Sequence, residues 1–195
     1  MTASRERGSA AEWPGQEPRD ADAACLAALV AQPAVRRFDP QRTVSSATVA
    51  RLVDIARRTG SARNRQPWRF VEVRDRGTLE HLSRLGAYAQ FLARAPVALA
   101  IASEDNGFAD TEFDVGRVTQ TIVLAAAAHG LGSCPATLYP SSNLDEARKA
   151  LGLSRAWLPR HVLALGYRHE GAPPRGVSTV PRGRLPLDAL LSRRP

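Results

Sequence analysis

The side chains best suited to chemistry gather between Arg58 and Val73, in the run RTGSARNRQPWRFVEV. Ser61, Asn64 and Gln66 are short and both donate and accept hydrogen bonds, while Gly60 and Pro67 punctuate the backbone on either side. A polar loop held between a helix and a strand can read the edge of a planar polar ligand. An ordinary connection with local side-chain-to-backbone bonds has the same composition. Other reactive residue types are sparse. Cys25 and Cys134 match no metal or disulfide spacing, and His81, His129, His161 and His169 form no cluster along the chain. Both cysteines read as structural, the histidines as satisfied surface or core residues, and no metal site is expected.

Positioning these residues requires a packed domain. The chain has 195 residues, 44% of them hydrophobic, enough for one ordinary domain with a real core. The first 19 residues, polar and carrying Pro14 and Pro18, read as a mobile arm, and residues 20–195 as a single domain. No apolar run approaches the ~20 residues of a membrane span, and no apolar signal core follows Arg5, Glu6, Arg7 and Glu12. A soluble cytoplasmic protein is expected, with no membrane partner. The formal charge is +8, but Lys149 is the only lysine and the arginines are scattered. Aromatic residues are 6%, too few for an obvious base-stacking platform, so a nucleic-acid-binding module is a minor alternative.

Local patterns supply the elements. DADAACLAALVA (Asp20 to Ala31) predicts a helix whose apolar face holds Cys25, Leu26, Leu29 and Val30, with Cys25 as a small core residue. Ser45 or Ser46 caps a second helix to Thr59, striped by Val49, Leu52, Val53, Ile55 and Ala56. Trp68 to Val73 reads as a strand. Gly77 to Ala95 reads as a helix with a break at Gly86, and Val97 to Ser103 as a strand apolar on both faces and therefore doubly covered. Asp110 to Gly130 is the longest helix, acidic at its start and rich in small residues at its end. A short helix over Asn143 to Gly152 and a strand over Arg160 to Tyr167 follow. Helices surrounding a sheet make the chain α+β.

Several of these runs resemble one family. SARNRQPWRFVEV is similar to the S-x-x-N-x-Q-P-W-x-F signature of nitroreductase-family flavoproteins. AAAHGLGS (Ala126 to Ser133) resembles the end of that family's central helix, and the L-x-L-G-Y end formed by Leu163 to Tyr167 resembles its G-Y-P. Val35-Arg36-Arg37-Phe38 matches the later part of its R-R-S-x-R-x-F opening, but Gln32, Pro33 and Ala34 replace the leading Arg and the Ser. Arg182-Gly183-Arg184-Leu185-Pro186, alone a solvated turn, resembles the family's basic-x-Arg-x-Pro segment.

The resemblance implies a nitroreductase-like fold, a mostly antiparallel central sheet completed by the tail of a partner in a homodimer, with FMN at the interface. It places Arg36, Ser61, Asn64, Gln66, Pro135, Thr137 and Leu138 against the flavin, and Arg182 and Arg184 on its phosphate, where they would also replace the cation missing at Gln32. Family members often carry an acidic residue and a glycine where this chain has Thr137 and Leu138. The implied activity is ping-pong hydride transfer from NAD(P)H through FMN to an electron-poor acceptor such as a nitroaromatic or quinone, with no side chain assigned as a catalytic acid. No GxGxxG fingerprint is present, consistent with a nicotinamide held by stacking. The alternatives are a flavin-dependent dehydrogenase of a peptide or natural product, and a non-catalytic flavin-binding protein.

Overall fold

The apolar run VALAIAS becomes the centre of the sheet. In the computed structural model, which describes residues 20–171 and 183–194, β1 (Trp68–Val73), β2 (Val97–Glu104), β3 (Gly132–Thr137) and β4 (Trp157–Gly166) form a sheet of order β1-β2-β4-β3. Each neighbouring pair is antiparallel. The N-terminal arm and Arg182 lie outside the described residues.

Alternation along β2 divides the core. Val97, Leu99 and Ile101, with Leu163 and Leu165 of β4, face α2 (Ser46–Ala56) and α4 (Thr111–Ala128) through Val49, Leu52, Val115, Val118 and Ile122. Ala98, Ala100, Val162 and Ala164 face the other way, onto Leu79 and Leu82 of α3 (Arg76–Arg84), Leu92 of the short 3-10 turn Gln90–Arg94, and Leu144 of α5 (Asn143–Ala150). Burial on both faces of β2 is as the sequence predicts.

Helix starts follow from caps. The Ser45 hydroxyl accepts the Thr48 N–H at 3.1 Å, and the Asp75 carboxylate accepts the Thr78 N–H at 2.7 Å. The latter bond, with one from the Thr78 hydroxyl, holds the Asp75 carboxyl below its ordinary range.

Three expectations change. Cys25 is exposed, and no residue of α1 (Asp20–Val30) is buried: among the described residues its apolar side is covered only in part, at the half-buried Leu29. The helix over 77–95 does break at Gly86, as expected, where a Cβ would lie 2.7 Å from the Thr137 carbonyl oxygen, but its second half is only the 3-10 turn and not α-helix. Segment 132–137 is a strand that sequence pattern did not reveal. It is an edge strand, where the missing N–H of Pro135 is tolerated.

Truncating Leu163, fully buried at the centre of β4, should cost about 2–5 kcal/mol. Ser45→Ala should cost about 1 kcal/mol. Denaturant melts of the two variants should show this ranking.

Candidate functional site

The polar loop is bent and anchored. Arg63, Asn64 and Gln66 have φ of 51°, 52° and 52°, a left-handed backbone that costs non-glycine residues energy, least for Asn. Local bonds hold the shape: the Gln66 N–H donates to the Ser61 hydroxyl at 2.9 Å, and the Gln66 side-chain amide donates to Asn64 Oδ1 at 3.1 Å. A buried carboxylate fastens the loop to α4. Asp114, 1% exposed, accepts the Ala62 N–H at 2.8 Å and faces the Arg117 guanidinium at 3.3 Å. Arg65 pairs with Asp110 and lies over the Phe108 ring, 4.4 Å from its centroid. None of Asp114, Asp110 and Arg65 is a site residue that the sequence predicts. The acidic residues at the head of α4 read there as favourable helix-dipole charges, and only the tertiary contact reveals their second task.

A second group assembles along the free edge of β3. The Leu138 N–H donates to the Arg160 carbonyl at 2.9 Å, so ladder alternation turns the main-chain groups of Thr137 and Ser133 outward. The Val35 N–H meets the Ser133 carbonyl at 2.8 Å there. Close approach depends on Gly132, whose Cβ would lie 2.6 Å from the Val35 side chain.

Two clefts flank this edge and share Pro135. One, of about 360 Å³, is lined by Arg36, Ala87, Tyr88, Phe91, Pro135, Ala136, Thr137 and Tyr139. The other, of about 430 Å³, runs between residues 30–35, α4 and the turn into β3, with Gln32, Ser133 and Arg168 among its polar lining.

The structure thus brings Arg36, Pro135 and Thr137 together. Ser61, Asn64 and Gln66 form a separate group beside the head of α4. Leu138 buries its side chain in the core and commits its N–H to Arg160. Arg184 is exposed, donates to the Gly183 carbonyl at 3.0 Å and lines neither cleft.

A polar chain unseen in the sequence ends on Thr137. Its hydroxyl lies 3.2 Å from His161 Nδ1 across the β3–β4 register, and His161 Nε2 lies 3.7 Å from Glu112 Oε2. Arg160 Nε is 2.9 Å from the other carboxylate oxygen. His161 holds the Glu112 carboxyl below the usual glutamate range, helped by the Ser103 hydroxyl and Arg160 against the opposing effect of partial burial. Strand periodicity could have paired Thr137 with His161, but only once β3 was recognised as a strand.

A family model described as the nitroreductase family matches residues 33–87 and 78–167. The chain belongs to this family. A relative from Archaeoglobus fulgidus, provisionally named NADH dehydrogenase/NAD(P)H nitroreductase, is 29% identical over 149 residues, covering 73% of this chain and 84% of its own. Nitroreductase NfnB of Mycolicibacterium smegmatis is 33% identical over 51% of this chain and 41% of its own length. Among solved structures, a nitroreductase family protein from Streptococcus pneumoniae TIGR4 superposes with a TM-score of 0.70 at 22% identity, covering 86% of this chain and 99% of that one. An FMN-dependent nitroreductase from Clostridium difficile R20291 superposes at 0.67 with 21% identity, covering 76% and 90%. These structural likenesses show a shared fold. No helix among the described residues is long and apolar enough to cross a membrane.

Asp114→Ala should leave the Ala62 amide without its acceptor, at a cost of about 1–3 kcal/mol. Amide exchange should accelerate in residues 61–66 before the sheet is affected. For Glu112 the folded pKa lies below the unfolded value near 4.5, so its contribution to stability is present above that pH and is lost as pH falls through the lower folded value. Glu112→Gln should therefore flatten the acid limb of the stability curve below about pH 4.5 and leave its slope near neutrality unchanged.

Proposed function

We propose that the chain is an FMN-dependent NAD(P)H oxidoreductase that reduces an electron-poor acceptor, such as a nitroaromatic or a quinone, and works as a homodimer. The observation that carries this reading is the convergence of Arg36, Pro135 and Thr137, from segments far apart in sequence, on one cleft at the edge of β3.

The residues fit the cofactor. A planar ring can lie along an edge whose main-chain groups point outward, with the Thr137 hydroxyl held in place by His161. The adjoining cleft continues past Pro135 and has no carboxylate among the described residues of its lining, as a phosphate-bearing chain requires. Arg36, 5.8 Å from the Phe91 ring centroid, supplies a cation beside the ring position. FMN would bring the chemistry, taking a hydride from a nicotinamide and passing reducing equivalents onward. This chain's residues would hold and orient the ring, and Tyr88 and Tyr139, 87% and 68% exposed, would flank the incoming planar substrate.

A dimer accounts for what a single chain leaves undone. The loop residues Ser61, Asn64 and Gln66 would reach a cofactor on the edge of a partner's β3. Leu26 and Val30 of α1, Phe113 of α4, and Leu187, Leu190 and Leu191 of the C-terminal segment are exposed and apolar, and a partner would cover them.

The decisive experiment adds FMN to the purified protein, removes the excess and mixes the product anaerobically with NADH or NADPH. Retained flavin absorbance that bleaches within the mixing experiment is expected. Retained flavin that stays oxidised would favour a dehydrogenase or a storage protein. Colourless protein would refute the cofactor assignment.

A further inference from the structure

Gln32, Pro33 and Ala34 leave the opening segment without the cation and hydroxyl its family pattern carries, yet the cleft beside them is not neutral. Among the described residues that line it, Arg168 is the only charged one. Its position is built into the fold. Phe38 and Arg168 form an antiparallel bridge, the Asp39 N–H donates to the Tyr167 carbonyl at 2.9 Å, and the His169 N–H donates to the Arg37 carbonyl at 3.1 Å. These bonds lay residues 167–169 along residues 37–39, just beyond the point where Gly166 pairs with Gly132. Arg168 therefore emerges at the end of the sheet where Gln32 and Ser133 also border the cleft.

The guanidinium is available. Asp39 and Glu170 line a neighbouring hollow that Arg168 also borders, but among the described residues Arg168 makes no ion pair with either. A planar fork of donors facing a cleft that also holds a hydroxyl and two side-chain amides, from Ser133, Gln32 and Gln120, is a donor set for a phosphate.

We propose that Arg168 binds the phosphate of the cofactor and replaces the cation that Gln32 displaces. The proposal rests on the FMN reading above. Because it concerns the phosphate alone, it separates from that reading when FMN is compared with riboflavin, which has the same ring and no phosphate.

The test is a fluorescence titration of the full-length protein, and of its Arg168→Gln and Arg168→Lys variants, with FMN and with riboflavin. Arg168→Gln should weaken FMN about tenfold to a hundredfold and leave riboflavin unchanged, with Arg168→Lys between it and the parent. The FMN affinity of the parent should fall more steeply with added salt than that of Arg168→Gln. Restoring the family's arginine with Gln32→Arg in the Arg168→Gln background should recover most of the loss. Equal weakening of both ligands would show that Arg168 merely shapes the cleft and would overturn the proposal. So would unchanged FMN affinity, or failure of the rescue. A parent protein that binds neither ligand would refute the FMN reading itself and the proposal with it, whereas a parent that binds both equally would refute only the phosphate contact.

Discussion

Burial of β2 on both faces is the constraint from which the rest of the structure follows. In a strand covered on both sides, the size of the residues on each face sets how near the covering layer can come. Here one face carries Val97, Leu99 and Ile101 and the other Ala98 and Ala100. The alanine face lets the α3 layer come in close, so the volume on that side is filled by leucines from the covering elements: Leu79, Leu82, Leu85 and Leu92. Close approach also brings Gly86 under the end of β3 and lets the Tyr139 N–H donate to the Leu85 carbonyl at 2.9 Å. The position of the Thr137 backbone is thus set by packing against β2's small-residue face. The family assignment and the site geometry meet at this strand end.

The same reasoning explains what could be read in advance. Strands β1, β2 and β4 and helices α2, α4 and α5 announce themselves, because each has a face or a pair of faces that must be buried and the pattern repeats at the element's own period. β3 was invisible for the opposite reason. Gly132, Ser133, Cys134 and Pro135 lack the branched and aromatic types that mark strands, and the segment is held by pairing with β4 and by Val35, not by its own propensity. α1 misled because its apolar residues are real but none of them is buried by the described residues. At the site, Arg36, Pro135 and Thr137 could be named from motif resemblance. Asp114, Glu112 and His161 could not, since their roles exist only when α4, the loop and the β3–β4 register are assembled together.

The loop between α2 and β1 shows how the fold holds an unfavourable backbone in place. Left-handed φ at Arg63 and Gln66 costs on the order of 1–2 kcal/mol each. Asn64 is the residue type best suited to that region. The opposing interactions come from both ends of the loop. Ser61 closes it internally, while Asp114 and Asp110 tie Ala62 and Arg65 to the head of α4. A loop fixed at its flanks in this way presents Asn64 and Gln66 outward in a defined geometry, because their backbones have little freedom left. Sites that must recognise a rigid planar ligand benefit from this pre-organisation, which lowers the entropy lost on binding.

Charge placement favours an anionic ligand beyond what the formal +8 suggests. Many acidic residues are drawn into local pairs. Asp54 sits against Arg57 and Arg58, and Asp145, held to about 2 by Lys149 and then Arg148, is neutralised on α5. Glu112 is shared between His161 and Arg160. Arg36 and Arg168, the arginines that border the clefts at the edge of β3, form no ion pair among the described residues. Their field is therefore not cancelled by a direct ion pair, although Asp39 and Glu170, in the hollow beside Arg168, reduce it. A concave, low-dielectric wall concentrates it over the cleft and raises the local concentration of anions there. FMN and NAD(P)H are both anionic. The same arginines that would bind one would also steer the other, so removing either charge weakens encounter with both, and most strongly at low ionic strength where screening is least.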